Sequence, residues 1–426
     1  MKKAIECLFI TTSYPPFPES QTIRNVFLIN GLCKAGLTVT VVTSAADSNG
    51  DAPLEKLVNP SVRVLRTGRT PYHRLQALVA QASAIPALHR RLRSLTAVLF
   101  GKIMAPDVWS GWQRQAYDLA AEAITSGINP AVVISSSGSF TAHLAAARLT
   151  RQLSIPWVAE YGDPWYLNPL AAKSPWITAM NYWWERRALK LCSGMTVTTE
   201  ATAQLYRDWL LQSAPIIAVV PCGYYRTSDH MAVMPPPTEK LRISYVGSAS
   251  ATNRDIGQFM KILDQALVGT PRWKVHFRII GSSSPVFENA AKHYSSFRTD
   301  FSGWVTYTRS IEEMSEATVL VLIGNKSHSQ VPGKVYQYMA SGRPIVYLSQ
   351  LSARDPTDEL LRRHAGVLHL RIGHPDNPAR LREFFCSLSA HQAAALCSAS
   401  SEAFSKAYSW ESLGDAFGAF VQSRLL

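Results

Sequence analysis

The stretch AVVISSSGSFTAHLAAARLTRQLSIPWVAEY, residues 131–161, decides the fold class of this chain. It begins with a short run rich in β-branched residues, continues with small and apolar residues at helical spacing, and ends with a second apolar run. Two strands that are joined by a helix run parallel, and a parallel sheet is buried on both faces. The stretch therefore predicts a parallel β-sheet that is covered by helices.

The same alternation of strands and helices fills most of the sequence. Helical patterns at 23–36, 180–192 and 255–267 separate apolar runs like the two described above. These further predicted strands lie at 4–11, 38–44, 62–67, 194–199, 216–221, 241–247, 274–281, 317–323 and 343–349. The repetition predicts an α/β chain with two Rossmann-like, doubly wound parallel sheets.

The length of 426 residues exceeds what one core can serve and indicates two domains. Turn residues and three consecutive prolines in PCGYYRTSDHMAVMPPPTEK, residues 221–240, interrupt the periodicity. We therefore predict an N-terminal domain at 1–222 and a C-terminal domain at 223–405. A last helical pattern at 406–426 could cap either half, including the N-terminal domain. A large ligand is expected in the cleft that two such domains face.

Composition narrows the class of protein. Hydrophobic residues make up 47% of the chain, which favours a folded protein over a disordered one. The six cysteines form neither a C-x-x-C pair nor a zinc-binding spacing, so a reduced, cytosolic chain without a metal site is expected. No apolar run approaches the ~20 residues of a membrane-spanning helix. The N-terminal apolar run is short and contains Glu6, which is typical of a buried strand and not of a signal peptide.

Positive charge is concentrated in one stretch. The formal net charge is +13, and no acidic residue lies between Glu55 and Asp107. The nine cations of that stretch are Lys56, Arg63, Arg66, Arg69, Arg74, Arg90, Arg91, Arg93 and Lys102. Residues 75–100 have the composition of a basic amphipathic helix that lies on an anionic membrane, and an ordinary helix with a solvated basic face explains them equally well. No nucleic-acid-binding motif accompanies the charge, which argues against nucleic acid as a partner.

Loops that follow predicted strands in the first half hold candidate polar residues. After the first strand, a proline-stiffened loop leads into a helix with Arg24 in its early turns. Arg24 could bind an anionic group at this helix start, or it could simply be solvated. The turn GDPWYLNP, residues 162–169, places Asp163 where it could bind substrate hydroxyls or bond its own backbone. Trp165 and Tyr166 beside it offer flat rings that suit a sugar.

Small residues follow two strands of the second half. Gly247 and Ser248 lie at the end of the strand at 241–247, Arg254 precedes the next helical pattern, and Gly281 repeats the arrangement. Small residues let backbone N–H groups approach an anion closely, and the arginine can neutralise it. The sequence contains neither the G-x-G-x-x-G fingerprint nor a P-loop.

Residues 331–346, VPGKVYQYMASGRPIV, carry the most specific pattern. Pro332 and Gly333 suit the start of a helix, with Lys334 in its first turn and Gln337 one turn later on the same face. Such a helix start could hold a diphosphate while Gln337 bonds sugar hydroxyls. A surface helix with a solvated lysine explains the pattern as well.

These segments, taken together and in this order, resemble the family 4 glycosyltransferases with the two-domain GT-B fold. The resemblance is carried by SYPPFPES, GLTVTVVTS, PDVWSGW, VVISSSGSFTAHLAA, IPWVAEYGDPW, VVPCGYY, YVGS, FSGWV and VPGKVYQYMASGRPIV. It is strongest for bacterial members that build cell-surface polysaccharides. It implies that a sugar moves from a nucleotide-diphosphate donor, bound by the C-terminal domain, to a lipid-linked or polysaccharide acceptor. Retention of configuration, no cofactor and no bound metal are implied too.

The resemblance also assigns residues. Arg254 and Lys334 take the role of stabilising the leaving diphosphate, which is electrostatic catalysis, and Asp163 faces the donor sugar. The further donor contacts that it implies are Arg24, Gly247, Ser248, Gly281, Ser329, Gly333 and Gln337.

The sequence departs from the family at the donor site. Many members carry two glutamates separated by seven residues, where this chain has Ser329 and Gln337. Glu19 and Ser20 stand where a glycine pair is common, and Cys222 where an asparagine is usual. Two hypotheses therefore stay open: an active transferase, held by residues 56–106 on the inner face of the cytoplasmic membrane, and a degenerate binding protein. On this alignment Gln337→Glu is expected to tighten nucleotide binding.

Overall fold

The computed structural model describes residues 5–17, 19–45, 52–82, 100, 104–171, 174–225, 240–250, 252–269 and 273–425. The chain divides into two compact units, Met1–Pro221 with Leu413–Leu426 and Cys222–Ser412. It passes from one unit to the other at 221/222 and 412/413, against predicted boundaries at 222/223 and 405/406. Most of the predicted basic helix at 75–100 lies outside the described residues, as do Arg90, Arg91, Arg93 and Lys102.

The first unit is built on a seven-stranded parallel sheet with the strand order β3-β2-β1-β4-β5-β6-β7. The strands are β1 (Ile5–Ile10), β2 (Leu37–Thr43), β3 (Arg63–Arg66), β4 (Pro130–Ser136), β5 (Trp157–Glu160), β6 (Gly194–Val197) and β7 (Ile216–Val219). The helices that precede or connect them are α1 (Ser20–Lys34), α2 (Ala52–Glu55), α3 (Pro71–Ala82), α4 (Trp112–Thr125), α5 (Thr141–Leu153), α6 (Pro175–Leu189) and α7 (Glu200–Leu210). Strand order reverses between β1 and β4, so the carboxyl ends of those two strands form the switch point of this sheet.

The second unit is built on a six-stranded parallel sheet with the order β10-β9-β8-β11-β12-β13. Its strands are β8 (Lys240–Val246), β9 (Lys274–Ile280), β10 (Phe297–Gly303), β11 (Val319–Ile323), β12 (Ile345–Ser349) and β13 (Val367–Arg371). Its helices are α8 (Ile256–Leu267), α9 (Pro285–Ala291), α10 (Tyr307–Ser315), α11 (Lys334–Ala340), α12 (Pro356–Leu361), α13 (Asn377–Cys386), α14 (Leu388–Ser400) and α15 (Glu402–Tyr408). The last helix of the chain, α16, spans Trp410–Leu425. The switch point of this sheet lies between β8 and β11.

Burial on both sheet faces explains why the central strands are continuously apolar. In β11, Val319, Val321 and Ile323 belong to the core cluster that packs α8 and α13 on the sheet. The alternate residues of the same strand, Leu320 and Leu322, belong to the cluster that packs α11. Side chains alternate across a strand, so a strand between two helical layers needs apolar residues at every position.

All eleven strands predicted from the sequence are present, and two further strands were missed. The missed strands are β10 and β13, the two edges of the second sheet. An edge strand is partly exposed, and β10 accordingly reads FRTDFSG, with charged and polar residues among its apolar ones. Its weaker apolar signal therefore follows from its position in the sheet.

No helix within the described residues is both long and apolar enough to cross a lipid bilayer.

The C-terminal helix packs on α1 through glycines. A Cβ placed on Gly414 would lie 2.5 Å from the carbonyl oxygen of Phe27 and 3.4 Å from Cα of Gly31. Phe417 and Val421, one and two turns further along α16, are completely buried. The two helix backbones approach too closely for any side chain at this crossing.

This contact predicts the sign of a stability change. In an exposed helix interior, Gly→Ala stabilises a protein by about 1 kcal/mol, whereas overpacking costs about 1–3 kcal/mol. Gly414→Ala should therefore lower the free energy of unfolding, measured by urea denaturation. Asp415→Ala is the matched control, because its exposed ion pair with Lys34 contributes little. A more stable Gly414→Ala variant would contradict the close crossing.

Candidate functional site

The switch point of the second sheet lies between the carboxyl ends of β8 and β11. These strands pair only through Ile243 with Val319 and Ser244 with Leu320, and then diverge. Beyond that point the hydroxyl of Tyr338, on α11, accepts a hydrogen bond from the backbone N–H of Val246 at 2.8 Å. Tyr338 thereby holds α11 against the carboxyl end of β8, where parallel sheets bind their ligands.

Two glycines make room at this end of the sheet. Gly247 follows β8 with φ of +135°, and Gly281 follows β9 with φ of +124°. A Cβ on Gly247 would lie 2.8 Å from Nζ of Lys334, and one on Gly281 would lie 2.6 Å from the carbonyl oxygen of Gly247. Both positions therefore require glycine for backbone conformation and for space. The predicted small-residue loops are present and adjoin Lys334.

Lys334, the first residue of α11, points its ammonium group over Gly247. Its Nζ atom is buried, lies 3.8 Å from the centre of the Tyr245 ring, and has no hydrogen-bond acceptor within the described part of the chain. Burial, together with the positive charge of Arg254, holds the pKa of Lys334 well below its ordinary value. A buried amine without an acceptor is costly, and an anion placed here would remove the cost.

Arg254 provides the second positive charge. It lies in the turn before α8, where its backbone N–H donates to the carbonyl of Ser250 at 2.9 Å. Its Nε donates to Oδ1 of Asn325 at 3.1 Å, and Asn325 follows β11 and is buried. The arginine is thus held from both strands of the switch point. The structure brings Arg254, Lys334 and Gly247 together, and their roles toward a donor stay predictions.

Gln337 lies one turn deeper in α11 and is engaged with the backbone of Tyr225. The N–H of Tyr225 donates to Oε1 of Gln337 at 3.0 Å, and Nε2 of Gln337 donates to the carbonyl of Tyr225 at 3.0 Å. The hydroxyl of Tyr307 donates to the same Oε1 at 3.3 Å. Because an amide carries one acceptor and one donor group, it matches a backbone peptide in a way that a carboxylate cannot.

The remaining predicted donor residues of the second unit lie in the loops that follow β8 and β11. Ser329 is buried in the loop between β11 and α11, where its N–H donates to Oγ of Ser327 at 3.3 Å. Ser248 is exposed, and its Oγ accepts from Ser282 at 2.9 Å. Gly333 precedes Lys334, and a Cβ there would make ordinary contact with Cys222. Their roles toward a donor stay predictions.

In the first unit, Arg24 is buried in an ion pair. Its Nε donates to Glu160 at 2.6 Å, and its two terminal nitrogens donate to the carbonyl oxygens of Val220 and Pro221 at 2.8 and 2.7 Å. Both Arg24 and Glu160 are almost completely buried. These contacts tie residues 220–221, where the chain leaves the first unit, to α1 and β5. They lend no support to the predicted phosphate contact of Arg24.

Asp163 lies in a loop that buried side chains hold in place. The loop residue Gly162 donates its N–H to Ser137 at 2.8 Å, and Tyr166 donates its N–H to Glu185 of α6 at 2.7 Å. Glu185 also accepts from the hydroxyl of Tyr206 at 2.6 Å. Asp163 itself is exposed. A fixed loop with an exposed carboxylate suits a role at a ligand, as predicted for Asp163.

Sequence reasoning missed the residues that support this site. Asn325 accepts a hydrogen bond from Arg254, and the ring of Tyr245 packs against the ammonium of Lys334. In the first unit, Glu160 pairs with Arg24, and Glu185 accepts a hydrogen bond from the backbone of Tyr166. Asn325 follows a predicted strand directly, so its position was a usable signal. The two glutamates lie in a strand and a helix, and no local pattern distinguishes them. Within the described residues, no group of three or more His, Cys, Asp or Glu side chains could hold a metal ion.

Two family models match the chain, one in each half. The model of the glycosyl transferase 4-like domain matches residues 26–223, and the model of the glycosyl transferases group 1 matches residues 240–369. A search of the curated proteins found no significant match.

Solved structures match over nearly the whole chain. Sucrose-phosphate synthase from Thermosynechococcus elongatus is 17% identical with a TM-score of 0.63, covering 98% of both chains. WaaG, a glycosyltransferase involved in lipopolysaccharide biosynthesis, is 12% identical with a TM-score of 0.61, covering 98% of this chain and 100% of WaaG. The lipopolysaccharide outer core galactosyltransferase WaaB is 12% identical with a TM-score of 0.56, covering 98% and 99%. At these identities the likeness shows the fold, which is GT-B.

The Gln337 contacts reverse the effect expected from the sequence. In Gln337→Glu a carboxylate oxygen would face the carbonyl of Tyr225 without a proton to donate, which should cost about 1–3 kcal/mol of unfolding free energy. Nucleotide affinity, measured by calorimetry, should not increase. A protonated carboxyl can donate, so the pKa of the introduced carboxyl group is raised in the folded state, and the loss should grow as pH rises above about 4.3.

The matched control is Gln265→Glu, an exposed position on α8, which should leave stability and affinity unchanged. Tighter nucleotide binding by Gln337→Glu at unchanged stability would support the alignment with the family glutamate instead.

Proposed function

The chain is a glycosyltransferase with a 4-like amino-terminal domain and a group 1 carboxy-terminal domain, and on that premise we propose that it transfers a sugar from a nucleotide-diphosphate donor to a lipid-linked or polysaccharide acceptor. The proposal includes retention of configuration and needs neither a cofactor nor a metal. The lipopolysaccharide transferases WaaG and WaaB share the fold, which makes an envelope glycan a reasonable acceptor class.

One observation carries the proposal: the buried, unsatisfied ammonium of Lys334 beside Arg254 and Gly247. A diphosphate accepts hydrogen bonds through several oxygens and carries the negative charge that these two cations lack. Because Gly247 has no side chain, the Lys334 ammonium can lie over its backbone, and a phosphate bound to that ammonium would lie close to the end of β8.

The same pair of cations has a catalytic use. When the bond between the sugar and the diphosphate breaks, negative charge grows on the phosphate oxygen that leaves. Lys334 and Arg254 are already held in place by packing on Tyr245 and by Asn325, so they stabilise this charge without reorganisation. Such fixed cations can neutralise a leaving diphosphate by themselves.

The proposal also covers the role of Asp163 and the location of the protein. Asp163 is proposed to face the donor sugar from the fixed loop of the first unit. Residues 56–106 are proposed to hold the protein on the inner, cytoplasmic face of the membrane through their excess positive charge. Only part of that segment belongs to the described residues.

A second candidate function follows from the site as well. Ser329 and Gln337 replace the two glutamates that many relatives carry, and the amide of Gln337 is engaged with Tyr225. A protein that binds a nucleotide sugar without transferring it would have this donor site. Turnover distinguishes the two candidates.

Removing the ammonium of Lys334 tests the proposed function. The protein is incubated with a panel of nucleotide-diphosphate sugars and an envelope extract, and the products are separated by chromatography. An active transferase should transfer the sugar to the extract or release it slowly. Lys334→Ala should lower nucleoside-diphosphate affinity about ten- to a hundredfold, because it removes a charge-assisted hydrogen bond, and should abolish turnover.

Lys261→Ala, at an exposed position on α8, is the matched control and should behave as the unmodified protein. An unchanged dissociation constant for Lys334→Ala would remove this residue from the site. Nucleotide binding without turnover of any donor would favour the second candidate.

The lowered pKa of Lys334 predicts proton uptake on binding. Burial and the charge of Arg254 lower the pKa of Lys334 in the free protein, and a bound diphosphate should raise it again because it supplies negative charge and acceptors. Calorimetry in buffers of different ionisation enthalpy, repeated over a pH series below the ordinary lysine pKa of about 10.4, should show proton uptake on binding, and affinity should fall as pH rises through that series.

The linkage also has a sign for the free protein. The unfolded chain binds the proton more tightly than the folded one, so stability should rise with pH over the same range. Lys334→Ala should remove both effects, and proton uptake that persists in this variant would assign it to another group.

A further inference from the structure

We propose that the outer face of α6, in the first unit, is a surface that this protein lays on an anionic lipid bilayer. This α6 surface is formed by Trp176, Met180, Trp183, Arg187 and Lys190. The inference deepens the proposed function, since it rests on a lipid-linked acceptor, and it names a partner surface formed by residues other than 56–106.

Two of the three tryptophans of α6, Trp176 and Trp183, do not serve the core of the protein, whereas Trp184 packs against it. Trp176 is 47% exposed and Trp183 is 54% exposed, although tryptophan is mostly buried on average. They lie seven residues apart and therefore on one face of the helix. The opposite face, which includes Ile177, Glu185 and Leu189, is the one that is buried.

Charge on the α6 surface is of one sign. The guanidinium of Arg187 lies 5.3 Å from the centre of the Trp183 ring, and Lys190 beyond it is exposed. The one acidic residue of the helix, Glu185, is buried and bound by Tyr166 and Tyr206. The surface therefore presents cations without an exposed carboxylate on the same helix.

An anionic bilayer complements this combination of rings and charges. Tryptophan rings sit at the level of lipid headgroups, and basic side chains next to them pair with lipid phosphates. Basic residues at the C-terminal end of a helix are also favoured by its dipole, but the dipole does not account for two exposed tryptophans.

An aromatic contact joins α6 to the neighbouring helix, which also has exposed apolar residues in and just after it. The ring of Tyr182 contacts that of Trp209 on α7 at 5.8 Å, and Leu205 and Leu211 nearby in sequence are 39% and 71% exposed. Exposed apolar side chains therefore occur on α6 and also on and just after α7.

An open cavity of about 630 Å³ runs along the side of α6. Tyr166, Pro175, Thr178, Ala179 and Tyr182 line it. Tyr166 is three residues from Asp163, in the loop that Glu185 and Tyr206 hold. A membrane on the α6 surface would therefore present a lipid-linked acceptor beside the loop that carries Asp163.

Vesicle flotation with the full chain tests the proposal. The protein should float at low salt with vesicles of phosphatidylcholine and phosphatidylglycerol, and bind much less to phosphatidylcholine alone or at high salt. Trp176→Ala and Trp183→Ala should each weaken vesicle binding about tenfold, because each removes a large ring whose exposed half is proposed to contact the bilayer. The matched control is Trp304→Ala, since Trp304 is 59% exposed in the second unit, and it should bind as the unmodified protein does.

Three results would overturn the proposal. The first is equal vesicle binding by the α6 variants and the control. The second is a loss confined to charge reversal of Arg90, Arg91 and Arg93, which would place the contact in the basic segment. The third is a dimer in solution that the two α6 substitutions disrupt, which would make the α6 surface an interface between copies.

The same variants separate this proposal from the proposed function. Nucleoside-diphosphate affinity in solution should be unchanged in Trp176→Ala and Trp183→Ala, since they lie in the other unit from Lys334. Vesicle binding that depends on α6 in a protein without turnover would support the α6 surface and contradict the proposed function. Turnover together with vesicle binding that does not depend on α6 would support the proposed function and contradict the α6 surface.

Discussion

Parallel pairing of all neighbouring strands is the constraint on which both units depend. A central strand such as β11 is buried on both faces, so its side chains are apolar and carry no chemistry. Polar groups are pushed into the loops at the carboxyl ends of the strands, where the switch point separates two adjacent loops. In the second unit this point lies between β8 and β11, and Gly247, Arg254, Asn325 and Lys334 lie around it.

The buried ammonium of Lys334 gives this switch point its chemical character. Packing on Tyr245 holds the side chain in place, while no acceptor in the described residues satisfies it. Such an arrangement is unfavourable in the free protein and becomes favourable when an anion supplies the acceptor. The cost of orienting the charge is met on folding, which is the condition for electrostatic stabilisation of a leaving group.

Buried polar side chains fix the segments at the boundary of each unit. In the first unit Arg24 holds the carbonyls of Val220 and Pro221, and its charge is balanced by Glu160. In the second unit Gln337 pairs with both backbone groups of Tyr225. A glutamine at position 337 thus has a structural reason, because a neutral amide satisfies a peptide group that a carboxylate would leave half unpaired.

The sequence by itself determined the fold class, eleven of the thirteen strands found in the described residues, and the loops that meet at the second switch point, because apolar periodicity and glycine position are local properties. It did not reveal β10 and β13, whose exposure as edge strands weakens the apolar pattern. Tertiary structure alone decided the partners of Arg24 and Gln337. These partners are distant in sequence, and hydrogen bonding between distant groups leaves no periodic signal. The exposed tryptophans of α6 belong to the same class, since only the packed structure shows which face of a helix lacks a neighbour.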